Sequence, residues 1–575
     1  MMRAMPARLM EIDGVPLLRA TGPGPARAGL AFRAGRADET PATAGVTHLI
    51  EHLVLRRLRA APGSCGGGAP VLTTFATQGT ATEVSAFLTG VCAALADLPS
   101  TLDDARAELR AEAAARTPTV FDSLAVVRHG VHHHGLAGMP EWGLHTLTAD
   151  DVRAWAAEYF TGQNAVLWVT GPELPSGLRL ALPPGVRKPV PDATTETGPF
   201  GEFRPPAHDT IVRDEVQPAG IVTAVYAGVL ERAVFHATGR VAGDGAHRVE
   251  ARYRPRGDGL AAVTVLAEVF AGNPGPVAGE FLDALAELRA HPIREEHVAA
   301  VVAETDRTLL RSGARLPEQA FALLTGHPEP PLAELRARLR AVTADEVGTL
   351  AASSQAAELL LTSWNGLIGP SPAGAAPVAG RRFRSLENRR AALTMDKTAI
   401  TRTWPRSRPV TVPFASAAVL LKWPDGGRRL IGPDARHVDV EPTLHETAPD
   451  VVPAIDAAVP ADRHVPLPAR EADAIPIPRP RGEQAVRYGG AGALLMGLIA
   501  WVLAWGSMTL AITPGATSWP VTLFGMSWLS GFWGAVRLRS VRNTVVAHRR
   551  MTRAHSASGR RSAPPGSPPL PAKAP

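Results

Sequence analysis

The sequence predicts an α+β protein: two related αβ units, then a small β-rich module and a pair of transmembrane helices. Three observations carry this. Val342–Ala351 (VTADEVGTLA) echoes Leu147–Ala156 (LTADDVRAWA) at an offset of 195 residues, and an apolar run follows each copy, AVLWVTG and ELLLTSW. A repeated helix-then-strand pattern of this kind is the mark of a duplicated unit. Short strand-like segments crowd into residues 388–445: AALTM, KTAITRTW, RPVTVP, SAAVLLKW, RRLIG and HVDVEP, with a turn at Pro424-Asp425-Gly426-Gly427. Alternating segments broken by such a turn form hairpins, and a small β-barrel is expected. Finally, no Asp, Glu, Lys or Arg occurs in the 49 residues from Tyr488 to Val536.

The first unit, residues 1–182, contains His48-Leu49-Ile50-Glu51-His52. In a helix the two histidines at i and i+4 share a face, and Glu51 lies within the same arc of about 100°. Two imidazoles and a carboxylate so placed can hold a zinc ion and act on water. The neighbours Val46, Leu49, Ile50, Leu53 and Val54 supply a buried face. Thr40-Pro41 and Gly45 both qualify as the helix entry. With 18 His in 575 residues, chance yields this pattern about 0.03 times per chain.

The flanking sequence adds weight. Leu30–Glu39 (LAFRAGRADE) precedes the motif, and Gly135–Gly171 (GLAGMPEWGLHTLTADDVRAWAAEYFTGQNAVLWVTG) closes the unit. In order and character these segments resemble the insulinase/pitrilysin family of zinc peptidases. The resemblance covers residues 8–180 well and 205–365 more loosely. It implies helices packed on largely antiparallel sheets, an active unit paired with a metal-free sister, and the shape of half a clamshell. It also implies Zn²⁺ as cofactor, His48 and His52 as ligands, and Glu51 as general base. The third ligand comes from a later helix, here TLDDARAELRAEAAAR, in which Glu108 and Glu112 lie four apart on one face. The family's pair is typically seven apart, and the interval from His52 is shorter here. Glu112 is the expected ligand, and Glu108 the supporting carboxylate or the alternative ligand. Substrates of the family are extended peptides added to a sheet edge. A closed chamber implies a homodimer or a partner subunit. A non-catalytic binding or scaffolding member is the alternative, although such members usually lose residues of the motif and all three stand here.

The histidines of HGVHHHG (His129, His132, His133 and His134) are dense enough to suggest a second metal site. The resemblance places them in a polar, His- and Gly-containing turn ahead of the Gly-x-Pro element at Gly138-Met139-Pro140, and so implies a structural or chamber-lining role.

After a Pro-rich linker at 183–206, the sister unit occupies 207–365 and lacks HxxEH. A second linker, 366–387, leads to the β-rich module, and a third, 446–487, leads to the membrane segment at 488–536. Pro514-Gly515 and Pro520 divide that segment into apolar spans at about Gly490–Ile512 and Ser518–Val536. Each is near the ~20 residues that cross a bilayer as a helix. Arg479, Arg481 and Arg487 precede the first span, and a basic tail at 537–575 follows the second. The positive-inside rule places both termini and the peptidase body in the cytoplasm, anchored to the cell membrane.

Composition closes other routes. The isoelectric point of about 9.8 invites a nucleic-acid reading. However, the tail alone carries nine Lys/Arg and no acid, against +6 for the whole chain. The remainder is slightly acidic, and no nucleic-acid partner is expected. Two cysteines, Cys65 and Cys92, cannot build a disulfide framework and lack metal-ligand spacing.

Overall fold

The structure is a computed structural model that describes residues 7–59, 65–193, 210–239, 241, 246–269, 274–311, 315–353, 359–362, 366–367, 374–388, 390–405, 407–446 and 450–478. The expected membrane spans and basic tail lie outside these residues. Among the described residues no helix is long and apolar enough to cross a membrane.

The first unit opens with β1 (Arg8–Ile12), β2 (Val15–Thr21) and β3 (Ala26–Phe32). Helix α1 (Val46–Leu58) carries the HxxEH residues, and the hairpin of β4 (Cys65–Ala69) and β5 (Leu72–Gly79) follows. Then come α2 (Ala81–Ala96), α3 (Asp103–Ala115), α4 (Val120–His129), α5 (Ala149–Tyr159) and β6 (Ala165–Gly171). Helices α2, α4 and α5 each start at a threonine (Thr80, Thr119, Thr148) whose hydroxyl accepts a backbone N–H while an acid three residues on returns the bond. These capping boxes satisfy N–H groups that a helix start leaves unpaired. The six-stranded sheet runs β1-β2-β6-β3-β5-β4. It is antiparallel except where β2 meets β6. Leu30, Phe32 and Phe75 on its inner face meet Leu49, Ile50 and Leu53 of α1 in one core.

The sister unit consists of β7 (Thr210–Pro218), α6 (Ile221–Thr238), β8 (Ala246–Pro255), β9 (Leu260–Val269) and α7 (Pro274–Ala290). It continues with α8 (Glu295–Arg311), α9 (Leu316–Thr325), α10 (Leu332–Arg340), α11 (Ala344–Ser353), β10 (Leu359–Thr362) and β11 (Gly366–Leu367). In its sheet, β11-β10-β7-β9-β8, the order β10-β7-β9-β8 reproduces β6-β3-β5-β4 of the first unit. Helix α6 takes the place of α1, and α11, from the echoed TADEV segment, takes the place of α5. The repeat in sequence is therefore a repeat in topology.

Each unit lends a helix to the other. Leu316, Ala320 and Leu324 of α9 pack on Leu18, Ala31 and Val166 of the first sheet. Leu124 and Val127 of α4 pack on Val212, Leu266 and Leu359 of the second. Arg128 and Asp214 make a buried ion pair across the same junction, Nε to Oδ2 at 2.7 Å.

The β-rich module is larger than the 388–445 expected. It begins inside the expected linker with β12 (Arg381–Arg384) and includes β13 (Ala392–Met395), β14 (Ala399–Thr403) and β15 (Val410–Pro413). It continues through β16 (Val419–Lys422), β17 (Arg428–Ile431) and β18 (His437–Val440) into the following Pro-rich stretch, with α12 (Val451–Ala458) and β19 (His464–Pro466). In place of a single closed barrel stand two four-stranded sheets, β12-β13-β14-β15 and β18-β17-β16-β19, around one core that includes Leu393, Leu420, Leu430 and Ile455. The linker boundaries move because β12, RRFR, shows no apolar alternation, and because Pro453 near the start of α12 reads as a breaker.

Candidate metal centre

Helix α1 starts at Gly45, whose φ of 99° lies in the left-handed region. A Cβ there would stand 2.9 Å from Cβ of Glu141, so the position needs glycine twice over. Thr40 and Thr43 form a turn ahead of the helix. The carboxylate of Glu39 accepts the backbone N–H groups of Gly45 at 2.8 Å and Thr47 at 3.0 Å. Glu39 is wholly buried, and desolvation pushes its carboxyl up to about 7 against those bonds and the charge of Arg36. With this start fixed, Leu49, Ile50, Leu53 and Val54 point into the core, and His48, Glu51 and His52 emerge half-buried on the other side.

Helix α3 lies beside that face, held by Ala105 and Leu109 in the core. Its exposed side presents Glu108 and Glu112 to α1. Oε2 of Glu112 stands 3.4 Å from Nε2 of His52 and 3.8 Å from Nε2 of His48. One donor atom from each of the three residues falls within 4.8 Å of the others. Tetrahedral zinc with bonds of about 2.0–2.1 Å separates its ligand atoms by about 3.4 Å, so this donor set fits the ion in chemistry, and the Glu112–His52 pair matches it in spacing. Glu108 sits at the other ring nitrogen of His52, Oε2 to Nδ1 at 3.4 Å, and is itself paired with Arg56.

No sequence motif marks Glu141. Its Oε1 lies 3.0 Å from Nδ1 of His48, and Arg36 approaches the same carboxylate at 3.4 Å. Each histidine thus meets a carboxylate through Nδ1 and Glu112 through Nε2. A carboxylate at Nδ1 holds the proton there and leaves Nε2 as the lone-pair donor. Glu141 comes from a turn 93 residues beyond His48, with no periodic pattern to mark it.

The electrostatics match this arrangement. Burial would lower the pKa of His48, but the bond to Glu141 and the charges of Glu141, Glu51 and Glu112 outweigh it and raise the value. Desolvation raises the carboxyl of Glu51 above the usual range, with His48 and His52 opposing. Desolvation also acts on Glu141, yet the His48 bond and Arg36 bring it below the usual range.

The histidine-rich run lies elsewhere in the packing. His129 and His134 are buried with ring centroids 5.4 Å apart, and Nδ1 of His133 meets the Ala37 carbonyl at 3.0 Å. Among the described residues, no metal-spaced group of three includes any of them. Cys92 is buried in the first core, and desolvation pushes its thiol up to about 12. It is a packing residue.

No family model matches the chain, and no curated protein matches it in sequence. Solved structures do match it. A chain of complex III from Candida albicans aligns over 60% of this chain and 92% of its own length, at 16% identity and a TM-score of 0.50. A protease from Helicobacter pylori aligns over 60% of this chain and 96% of its own, at 13% identity and a TM-score of 0.48. The ferredoxin protease FusC, solved as a mutant in complex with Arabidopsis ferredoxin, aligns over 72% of this chain and 57% of its own, at 12% identity and a TM-score of 0.48. The likeness to the complex III chain is one of fold.

Proposed function

We propose that the chain is a zinc endopeptidase of the insulinase type that hydrolyses peptides or unfolded protein segments. The observation that carries this reading is the convergence of His48, His52 and Glu112 within 4.8 Å, with Glu51 on the same helical face. Zinc held by these three residues would supply a Lewis acid that polarises a peptide carbonyl and acidifies water. Glu51 accepts a proton from the attacking water and returns it to the leaving amine. Desolvation raises its carboxyl above the usual range, which makes it a stronger base. Glu108 and Glu141 hold the two imidazoles in the tautomer that donates through Nε2.

The fold by itself does not decide between an enzyme and a binding protein. The intact donor set is what favours the enzyme over a non-catalytic scaffold. The uncharged spans at 490–536 supply the proposed membrane anchor, with the body and both termini in the cytoplasm. A homodimer or partner subunit completes the substrate chamber.

The test is metal dependence. Chelation should abolish cleavage of an unstructured peptide pool by the full chain, and stoichiometric zinc should restore it. Cleavage that survives excess chelator would remove the zinc reading.

A further inference from the structure

The turn that carries Glu141 is held by the β-rich module. Trp142, next in sequence, is 8% exposed and shares one apolar cluster with Val419, Leu421, Ile431 and Val465. Strand β16 divides its side chains by alternation: Leu420 enters the module's own core, whereas Val419 and Leu421 face the first unit. The contact is close in the backbone as well. The N–H of Val131 donates to the Pro433 carbonyl at 2.9 Å. A Cβ at Gly130, whose φ is +64°, would lie 1.9 Å from that same oxygen. On its other side the turn is tied by Arg36, whose Nη2 donates to the Met139 carbonyl at 2.8 Å.

We propose that the β-rich module is a positioning element of the metal centre, acting through Trp142 and Glu141 on His48. Glu141 is a positioning residue: it fixes the plane and tautomer of the His48 ring. Trp142, seated on β16, β17 and β19, fixes Glu141. The inference rests on the reading of His48, His52 and Glu112 as zinc ligands. It makes the module part of the site rather than a separate appendage, so a chain cut after the sister unit would hold zinc poorly.

The experiment measures zinc affinity of the solubilised full chain by chelator competition, so that no catalytic readout is needed. Removing a carboxylate behind a histidine ligand typically weakens metal affinity by about 10–100-fold. Glu141→Ala should show that loss. Glu141→Gln, which keeps an acceptor oxygen at the same reach, should recover part of it. Val419→Asp, which breaks the docking face while leaving Leu420 in place, should weaken zinc binding by a comparable factor. Added to Glu141→Ala, it should cause little further loss, because both changes act through one path. If Val419→Asp does not fold, Leu421→Ala serves the same purpose. Wild-type affinity in Glu141→Ala, or in a folded docking variant, would overturn the proposal and leave the zinc reading standing. Absence of zinc binding in the wild type would overturn both.

Discussion

Nε2 of His52 stands 3.4 Å from Oε2 of Glu112, although 60 residues of chain separate them. Glu108, one turn earlier on α3, reaches only the opposite ring nitrogen of His52, where it also neutralises Arg56. The two glutamates therefore serve different ends of one imidazole, and their removal should differ in kind. Glu112→Ala should leave the protein without stoichiometric zinc. Glu108→Ala should retain zinc with affinity lowered by about 10–100-fold. Metal analysis after dialysis against a weak chelator distinguishes them, and equal retention by both variants would move the third ligand away from Glu112.

The junction between the two units has its own test. Arg128 and Asp214 have side chains only 4% and 3% exposed. The hydroxyl of Thr264 also donates to the Asp214 carboxylate. Removing one partner of a buried pair typically costs about 3–5 kcal/mol, and the charges of Arg254 and Arg256, which also act on Asp214, offset part of that cost. Arg128→Ala should therefore destabilise the protein in urea denaturation by at least about 2 kcal/mol. The double change Arg128→Met with Asp214→Leu should recover most of it. A loss below about 1 kcal/mol in the single variant would show that the pair does not hold the units together.

Acid should loosen the same region. Burial and the nearby Arg256 charge press His134 down to about 4 from an ordinary 6.5. The folded state then holds a neutral ring that the unfolded chain protonates first. This contribution to stability is complete above pH 6.5 and is lost as pH falls towards 4. For a group 7% exposed, a shift of this size amounts to on the order of 3 kcal/mol. The stability difference between wild type and His134→Gln should change by about that much between pH 7 and pH 4. Parallel pH profiles would place the His134 ring in contact with water.

Much of the candidate metal centre can be read locally, because His48, Glu51 and His52 obey helical spacing within five residues. The pairing of α1 with α3 rests on a resemblance, which makes Glu112 the expected ligand and Glu108 the supporting carboxylate or the alternative. Of the two, only Glu112 faces both Nε2 atoms. Glu141 was illegible for a physical reason. Its role depends on a turn folded over Gly45 and seated on a module nearly 300 residues further along, and no local pattern encodes a contact of that range. The ends of the β-rich module are hidden in the sequence on similar grounds. RRFR gains its strand character from pairing with β13, and the helix through Pro453 gains stability from Val451 and Ile455 in the module core.

The most direct measurement compares zinc-loaded wild type and Glu51→Gln on one unstructured peptide pool, with bound zinc quantified in both. Glu51 is not among the three donors, so the variant should keep its zinc and lose cleavage by at least about 100-fold. Cleavage at the wild-type rate by zinc-loaded Glu51→Gln would contradict the peptidase mechanism. Zinc-loaded wild type that cleaves nothing would mark the chain as a binding protein on the same fold.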